Sequence, residues 1–281
     1  MPVSVVVRRG ALTVIDDDRP PVLVFDLDGT ILRVNSFPRW VLFLIGGHIP
    51  GVTPRRRAII SLRTLQLIWR RKTGRLSHEA LLRGLQRTWR ATGSDGHSIA
   101  PAVAVRDPAP PDGNFSASLR RHVRSNMTPL LELVASDRAD AVLATAAAAD
   151  YAMTFGRLLG FTHILATPAD GAGDEKLNAG EQKRERVQAL LDGQGWTGRP
   201  LILFTDHIDD LPLMRESRLV CWFGPEHLMA DARARAPNAS FLLCRALSGA
   251  TMLAVRQAFT PSAPPVVLGV QVSRARLTTA S

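Results

Sequence analysis

Short apolar segments alternate with helical segments through the second half of the chain, and this alternation limits the possible folds most strongly. Each apolar segment is four to six residues long. Parallel strands need a crossover connection, usually a helix, so such a chain forms a parallel sheet with helices on both faces. The sequence therefore predicts an α/β, Rossmann-like fold. The predicted strands are 141–145, 162–167, 201–205, 219–223 and 240–243.

A further strand is predicted near the N-terminus, and it ends in two carboxylates. The apolar run at 22–25 is followed by Asp26, Asp28, Gly29 and Thr30. In an extended backbone, residues two positions apart point to the same side. Two acids on one side of a strand end are costly unless a cation or a reaction uses them. For this motif taken alone, an acidic turn is the simpler interpretation.

Other polar residues follow the predicted strands further along the chain. In a parallel sheet, ligands bind at the carboxyl ends of the strands. Thr145 ends one strand, Lys183 lies in the first turn of a predicted helix, and Asp206 and Asp210 follow the strand at 201–205. Mg²⁺ prefers oxygen ligands from a few carboxylates, with water and substrate phosphate completing its shell. Together with Asp26, these residues suit a phosphate group and a hard cation.

Four short motifs, each at a strand end or a helix start, resemble those of the haloacid dehalogenase-like (HAD) hydrolase superfamily. The resemblance covers residues 22–34 and about 128–223. The helical insertion between the first two motifs is similar to the cap of the phosphoserine-phosphatase-like branch. The motifs are Asp26-x-Asp28-Gly29-Thr30, Thr145, Lys183 and Asp206-x-x-x-Asp210.

The resemblance implies a Mg²⁺-dependent phosphatase that hydrolyses a phosphomonoester through an aspartyl-phosphate. Asp26 would attack the phosphorus atom. Asp28 would protonate the leaving oxygen and then activate water, which favours phosphoryl transfer over dehalogenation because a halide needs no proton. Thr145 would hydrogen-bond a phosphoryl oxygen, and Lys183 would neutralise the charge on Asp26 and the phosphoryl group.

The resemblance also implies metal ligands and substrate contacts. The metal would be held by Asp26, the main-chain carbonyl of Asp28, Asp206 and Asp210, with the adjacent Asp209 as the alternative to Asp210. The implied substrate contacts are Gly29, Thr30, Thr145 and the main chain of Ala146.

The fourth motif departs from the family pattern in one place. The family usually has Gly before the first aspartate, and this chain has Thr205. The next residue, His207, is interpreted as a loop histidine with local hydrogen bonds rather than as a substrate contact.

The predicted domain organisation is a core interrupted by a basic cap. The chain has 281 residues, 46% of them hydrophobic and 21% charged, which is typical of a globular protein with a large core. The core is assigned to 1–34 and 126–246, and a helical cap with a flexible connection to 35–125. The tail, 247–281, is not assigned. Between residues 39 and 90 there are twelve Lys or Arg and one acid, Glu79, so this segment accounts for the chain's net charge of +10.

The basic cap has three interpretations. In the first, its arginines select a polyanionic substrate by bidentate pairing. In the second, the apolar helix 40–45 and the arginines bind anionic lipid headgroups. In the third, the basic face is merely solvated. Two other functions stay open: a phosphotransferase or mutase with the same intermediate, and a basic protein that binds nucleic acid or lipid on a HAD-like scaffold. Nucleic acid is not expected as a partner, because the cap has no known reader motif.

The remaining features indicate a cytoplasmic protein. Cys221 and Cys244 lie in apolar, strand-like runs and are interpreted as buried, reduced thiols. The N-terminal residues do not resemble a secretory signal. No apolar run approaches the ~20 residues of a membrane-spanning helix, although peripheral membrane contact stays possible.

Overall fold

The structure is a computed structural model that describes residues 5–8, 11–14, 19–46, 49, 52–90, 113–168, 177–244 and 268–269. The strands are β1 (Val5–Arg8), β2 (Ala11–Val14), β3 (Val22–Phe25), β4 (Ala141–Ala148), β5 (His163–Thr167), β6 (Leu201–Thr205), β7 (Leu219–Trp222), β8 (Ser240–Leu243) and β9 (Leu268–Gly269). The α-helices are α1 (Ser36–Gly46), α2 (Pro54–Lys72), α3 (His78–Arg90), α4 (Gly113–Leu119), α5 (Thr128–Ala135), α6 (Ala149–Leu158), α7 (Gly180–Gly193), α8 (Leu211–Glu216) and α9 (Glu226–Arg235).

The centre of the fold is a six-stranded sheet in the order β5-β4-β3-β6-β7-β8. Every pairing in it is parallel. All four residues of β3 are buried. Because side chains alternate between faces, Leu23 and Phe25 join one apolar cluster while Val22 and Val24 join another. Helices therefore cover both faces, and the predicted α/β, Rossmann-like fold is confirmed.

The order of the strands explains where the polar motifs meet. β3 pairs with β4 on one side and with β6 on the other. The chain reaches these two neighbours by separate connections, so their carboxyl ends open a crevice at a topological switch point. Asp26 and Asp206 directly follow β3 and β6, and Thr145 lies in β4, three residues before its end. The sheet thus brings together motifs that are more than a hundred residues apart in the sequence.

Helices α1 to α3 form the helical insertion that the sequence predicted. α1 buries Trp40 and Leu44, which are four residues apart on one face. α3 buries its apolar face, and Gly84 lets α2 approach closely, because a Cβ there would lie 2.8 Å from the Leu67 side chain. The buried residues of this face include Leu81, Leu82, Leu85 and Trp89. The domain limits assigned to the cap, residues 35–125, stay a prediction.

A small antiparallel sheet lies outside the main one. β1 and β2 form a hairpin, and β9 pairs with β2. β9 belongs to the tail that the sequence left unassigned.

Cys221 and Cys244 are buried and form no disulfide, as predicted. Among the described residues, no helix combines the length and apolar character needed to cross a membrane.

One predicted boundary is wrong. The sequence predicted a strand that ends at Thr145, but β4 continues to Ala148 and α6 begins at Ala149. The alanines favour a helix, yet Ala148 pairs with Thr167 of β5 after a shift in register. Sheet pairing outweighs helix propensity here, so the main chain after Thr145 is extended and does not form a helix N-terminus.

Candidate active site

Asp26 occupies the first position after the central strand. Its N–H donates to the carbonyl of Phe204 at 2.9 Å, which continues the pairing of β3 with β6 by one residue. Its carboxylate oxygen Oδ1 lies 2.8 Å from Nζ of Lys183. Burial raises the pKa of Asp26 to about 7, and the neighbouring ammonium opposes this rise. A buried carboxylate in this position gains greatly from any additional cation.

Lys183 reaches the site from the first turn of α7. Its Nζ donates to Oδ1 of Asp26 at 2.8 Å and to both carboxylate oxygens of Asp210, at 2.8 and 2.9 Å. Burial alone would lower the pKa of Lys183, but the carboxylates of Asp210 and Asp26 outweigh burial and raise it. The lysine is therefore charged and bridges two acids. The structure brings it to the position that the third motif implies.

Asp210 faces this site, and its neighbour Asp209 does not. Asp210 is buried, and Thr205 Oγ1 donates to its Oδ2 at 2.6 Å. Thr205, the residue that departs from the family pattern, thus helps to hold Asp210. The Asp209 side chain is exposed and lies 3.2 Å from Nδ1 of His207. His207 also accepts a hydrogen bond from the Asp209 N–H, so its local contacts agree with its interpretation as a loop histidine.

Asp206 packs against the main chain of two glycines. A Cβ on Gly29 would lie 1.8 Å from Oδ2 of Asp206, and a Cβ on Gly224 would lie 2.1 Å from the Asp206 carbonyl oxygen. Gly29 also has φ of 71°, a conformation that other residues rarely adopt. Burial raises the pKa of Asp206. Both positions need glycine, because Asp206 lies so close to the main chain there that a Cβ would clash with it.

Asp28 is held by residues that the sequence analysis did not identify. The Ser36 N–H donates to Oδ1 of Asp28 at 2.8 Å, and the Ser36 hydroxyl donates to Oδ2 at 2.9 Å. The Tyr151 hydroxyl lies 2.8 Å from Ser36 Oγ. Because the single Ser36 hydroxyl proton goes to Asp28, the Tyr151 hydroxyl is the donor in this contact. Burial raises the pKa of Asp28 to about 6, and the hydrogen bonds from Ser36 oppose the rise. The only sequence signals were a serine at a helix start and the chain's single tyrosine.

Thr145 lies at the crevice with its side chain buried. Its hydroxyl accepts the N–H of Ala147 at 3.1 Å. Asn178, also missed from the sequence, donates to the carbonyls of Thr145 at 3.0 Å and Leu165 at 2.8 Å. Asn178 thereby ties the segment before α7 to the sheet, which fixes the helix that carries Lys183.

The other predicted substrate contacts lie in the loop after β3 and at the end of β4. The Gly29 carbonyl accepts a hydrogen bond from the guanidinium of Arg124 at 2.7 Å. The Thr30 hydroxyl is buried and has no hydrogen-bond partner among the described residues. Ala146 is exposed, and its carbonyl accepts a hydrogen bond from the hydroxyl of Thr167 at 2.7 Å. Their substrate contacts stay predictions.

The donor set fits a hard divalent cation. Within the described residues, no three His, Cys, Asp or Glu side chains form a metal cluster by themselves. Mg²⁺ does not need one, because it is usually bound by one or two carboxylates with water and substrate phosphate. Asp26 and Asp206 offer such carboxylates, and burial raises the pKa of both. Lys183 supplies one positive charge to a site with several acids, so a cation is electrostatically favoured.

The comparison with protein families agrees with this geometry. A family model described as haloacid dehalogenase-like hydrolase matches residues 23–215. The chain belongs to the haloacid dehalogenase-like hydrolase family. The match begins in β3 and ends in α8, so it includes all four motifs. Both the predicted superfamily and the classification as a HAD-like hydrolase are confirmed.

Solved structures share the fold at low sequence identity. One is a protein of unknown function from Bordetella pertussis Tohama I, with 19% identity, a TM-score of 0.55, and coverage of 80% of this chain and 100% of that one. Another is a probable phosphoserine phosphatase from Vibrio cholerae, with 12% identity, a TM-score of 0.50, and coverage of 86% and 66%. These likenesses concern the fold. Among curated protein sequences, no match was found.

Proposed function

We propose that this HAD-like hydrolase is a Mg²⁺-dependent phosphatase that hydrolyses a phosphomonoester through an aspartyl-phosphate on Asp26. The observation that carries the proposal is the position of Lys183, whose Nζ lies 2.8 Å from both Asp26 Oδ1 and Asp210 Oδ1 in a buried site at the carboxyl ends of the strands. A buried ammonium between two acids suits a reaction in which negative charge gathers on a phosphoryl group.

In the first step, the carboxylate of Asp26 attacks the phosphorus atom. A bond forms between Asp26 and phosphorus, and the bond from phosphorus to the leaving oxygen breaks. Asp28 donates its proton to that oxygen. Lys183 stabilises the charge that develops on the phosphoryl group, and the Thr145 hydroxyl donates to one of its oxygens.

In the second step, Asp28 works in the opposite direction. It takes a proton from a water molecule, which attacks the phosphorus of the aspartyl-phosphate. The bond between Asp26 and phosphorus breaks, and inorganic phosphate leaves. The pKa of Asp28, about 6, suits both roles because it lies near neutral pH.

The residues that would hold Mg²⁺ are Asp26, Asp206 and the main-chain carbonyl of Asp28. Bound there, the ion would reduce the repulsion between the attacking carboxylate and the phosphate. Direct ligation by Asp210 stays a prediction. Because its two oxygens contact Lys183 and Thr205, we propose that Asp210 mainly positions the lysine.

Hydrolysis of a generic aryl phosphate tests this function. The wild-type protein is expected to release phosphate with Mg²⁺ and to lose activity in a chelator. Asp26→Asn is expected to lower kcat at least about a thousandfold, because it removes the nucleophile. Asp209→Asn, which changes an exposed side chain next to the fourth motif, is the matched control and should keep its activity. An inert wild-type protein, or an active Asp26→Asn variant, would contradict the proposal.

A phosphotransferase or mutase would form the same intermediate and differ only in the acceptor of the phosphoryl group. Release of inorganic phosphate in the absence of any added alcohol distinguishes hydrolysis from these activities. The same assay therefore tests the reaction type.

A further inference from the structure

Helix α2 exposes four large apolar side chains, which we call the apolar stripe: Ile59, Leu62, Leu65 and Trp69. Leu62 is 67% exposed, Trp69 55%, Leu65 48% and Ile59 43%. With 3.6 residues per turn, these positions fall on one side of the helix. Single exposed apolar residues are common, but a group of this size on one face marks an interaction surface.

The opposite face of α2 is fixed to the rest of the insertion. Ile60 and Thr64 are buried. The guanidinium of Arg57 donates to the carbonyl of Phe43 at 2.7 Å, and the Ser61 hydroxyl donates to the carbonyl of Ile45 at 2.6 Å. Both acceptors belong to α1. These contacts hold α2 with the apolar stripe towards solvent.

A row of positive charge runs beside the apolar stripe. Arg56, Arg63 and Arg70, here called the arginine row, are spaced seven residues apart, close to two helical turns, and all are exposed. The helix contains no acidic residue. At its C-terminal end, the guanidinium of Arg75 lies 5.1 Å from the centre of the Trp69 ring. The surface is therefore both apolar and strongly basic.

We propose that the apolar stripe and the arginine row bind the surface of a membrane that contains anionic phospholipid. Helices that lie in the membrane interface combine these two features: Trp and Leu enter the boundary of the acyl chains while Arg remains with the phosphate groups. Guanidinium groups pair with phosphate in two-point contacts. The charge of the row is thus complementary to that of the lipid headgroups.

Other occupants fit this surface less well. A second copy of the chain would bring its own arginine row close to this one, and like charges across an interface are unfavourable. Nucleic acid would pair with the arginines but would leave the apolar stripe in water. Only a partner with both an anionic and an apolar layer satisfies both features.

The location of this surface corrects part of the sequence analysis. The helix at 40–45 was a candidate for lipid contact, but Trp40 and Leu44 are buried in the core. Leu42 alone among the large side chains of that segment is mostly exposed, at 65%. The exposed apolar residues instead lie mainly on α2, which also carries the arginine row.

Flotation of the whole 281-residue chain with lipid vesicles tests the proposal. The probe is a phosphatidylcholine vesicle with about 30% phosphatidylglycerol, compared with phosphatidylcholine alone, at low and high salt. We expect binding to the anionic vesicle at low salt and weaker binding at high salt, because exposed charges are screened. Leu62→Gln/Trp69→Gln is expected to weaken partitioning at least about tenfold. Arg63→Gln/Arg70→Gln is expected to weaken it about 25-fold, at about fivefold per arginine.

The matched control makes the same kinds of change elsewhere. Arg157→Gln/Leu158→Gln replaces an exposed arginine and the 39% exposed Leu158 on α6, and it should bind vesicles like the wild type. Circular dichroism and aryl phosphatase activity, measured on every variant, show whether each protein is folded, since none of these residues belongs to the candidate active site.

No binding of the wild type to anionic vesicles at low salt would overturn the proposal. The proposal would also be overturned if the control variant lost as much vesicle binding as the α2 variants. Dimerisation or duplex DNA binding through this surface, without vesicle binding, would overturn it too.

Discussion

Ser36 holds both carboxylate oxygens of Asp28, with its N–H 2.8 Å from Oδ1 and its hydroxyl oxygen 2.9 Å from Oδ2. This two-point contact fixes the plane of the group that we propose as the general acid and base. It also links the first motif directly to the start of α1, the first helix of the insertion. The orientation of Asp28 therefore depends on a residue outside the four motifs.

Replacing Ser36 with alanine should change the pH dependence of the reaction. Hydrogen bonds to an ionised carboxylate lower its pKa, so loss of the Ser36 hydroxyl should raise the pKa of Asp28 above about 6. We expect the acidic limb of the kcat profile to move to higher pH, with kcat reduced about tenfold at neutral pH. Tyr151→Phe, which leaves the contact between Ser36 and Asp28 in place, should have a smaller effect. A limb that does not move, or moves to lower pH, would show that Ser36 has only a structural role.

Mg²⁺ should stabilise the protein more at alkaline than at acidic pH. In the metal-free protein, burial raises the pKa of Asp26 from its ordinary value of 3.8 to about 7. A group with a raised pKa contributes stability that is complete below its unfolded pKa and is lost as the pH rises through the folded value. The metal-free protein should therefore lose stability between about pH 4 and pH 7.

The Tm measured with and without Mg²⁺ at acidic and at alkaline pH checks the prediction. The increase caused by Mg²⁺ should be small at pH 5 and large at pH 8, because the ion needs ionised carboxylates. Asp206→Asn should abolish most of the increase, and Asp209→Asn should leave it unchanged. An equal increase at both pH values in all variants would refute Mg²⁺ binding at this site.

Gly29→Ala should damage both stability and metal binding. The new Cβ would lie 1.8 Å from Oδ2 of Asp206, and the residue has φ of 71°. Gly74→Ala is a close control, since Gly74 has φ of 72° but has nothing within 4 Å of its would-be Cβ. We expect Gly74→Ala to cost about 1 kcal/mol of unfolding free energy. Gly29→Ala should cost more and weaken the Mg²⁺-induced rise in Tm. Equal losses in the two variants would mean that contact with Asp206 is unimportant.

The sequence predicts the sheet and the polar motifs well because both depend on local patterns. Apolar runs separated by helices specify the parallel sheet, and the sheet alone brings Asp26, Thr145 and Asp206 to one edge. The choice between Asp209 and Asp210 lies beyond such patterns. A short 3₁₀ turn at Ile208–Asp210 buries one carboxylate and exposes the other.

The errors and omissions arise from contacts between distant segments. Ser36 and Tyr151 are 115 residues apart, and neither lies in a recognisable motif. The alanines after Thr145 favour a helix locally, and only their pairing with β5 keeps them extended. Likewise, a helical pattern at 40–45 does not reveal that Trp40 and Leu44 face the core.

The most direct test of the central claim is to identify the residue that carries the phosphoryl group during turnover. The wild-type protein would be mixed with an aryl phosphate and Mg²⁺, quenched in acid and analysed by peptide mass spectrometry. We predict a phosphoryl group on Asp26, at the end of β3, and none in the Asp26→Asn variant. Turnover with the phosphoryl group on another residue, or undiminished turnover by Asp26→Asn, would contradict the proposed mechanism.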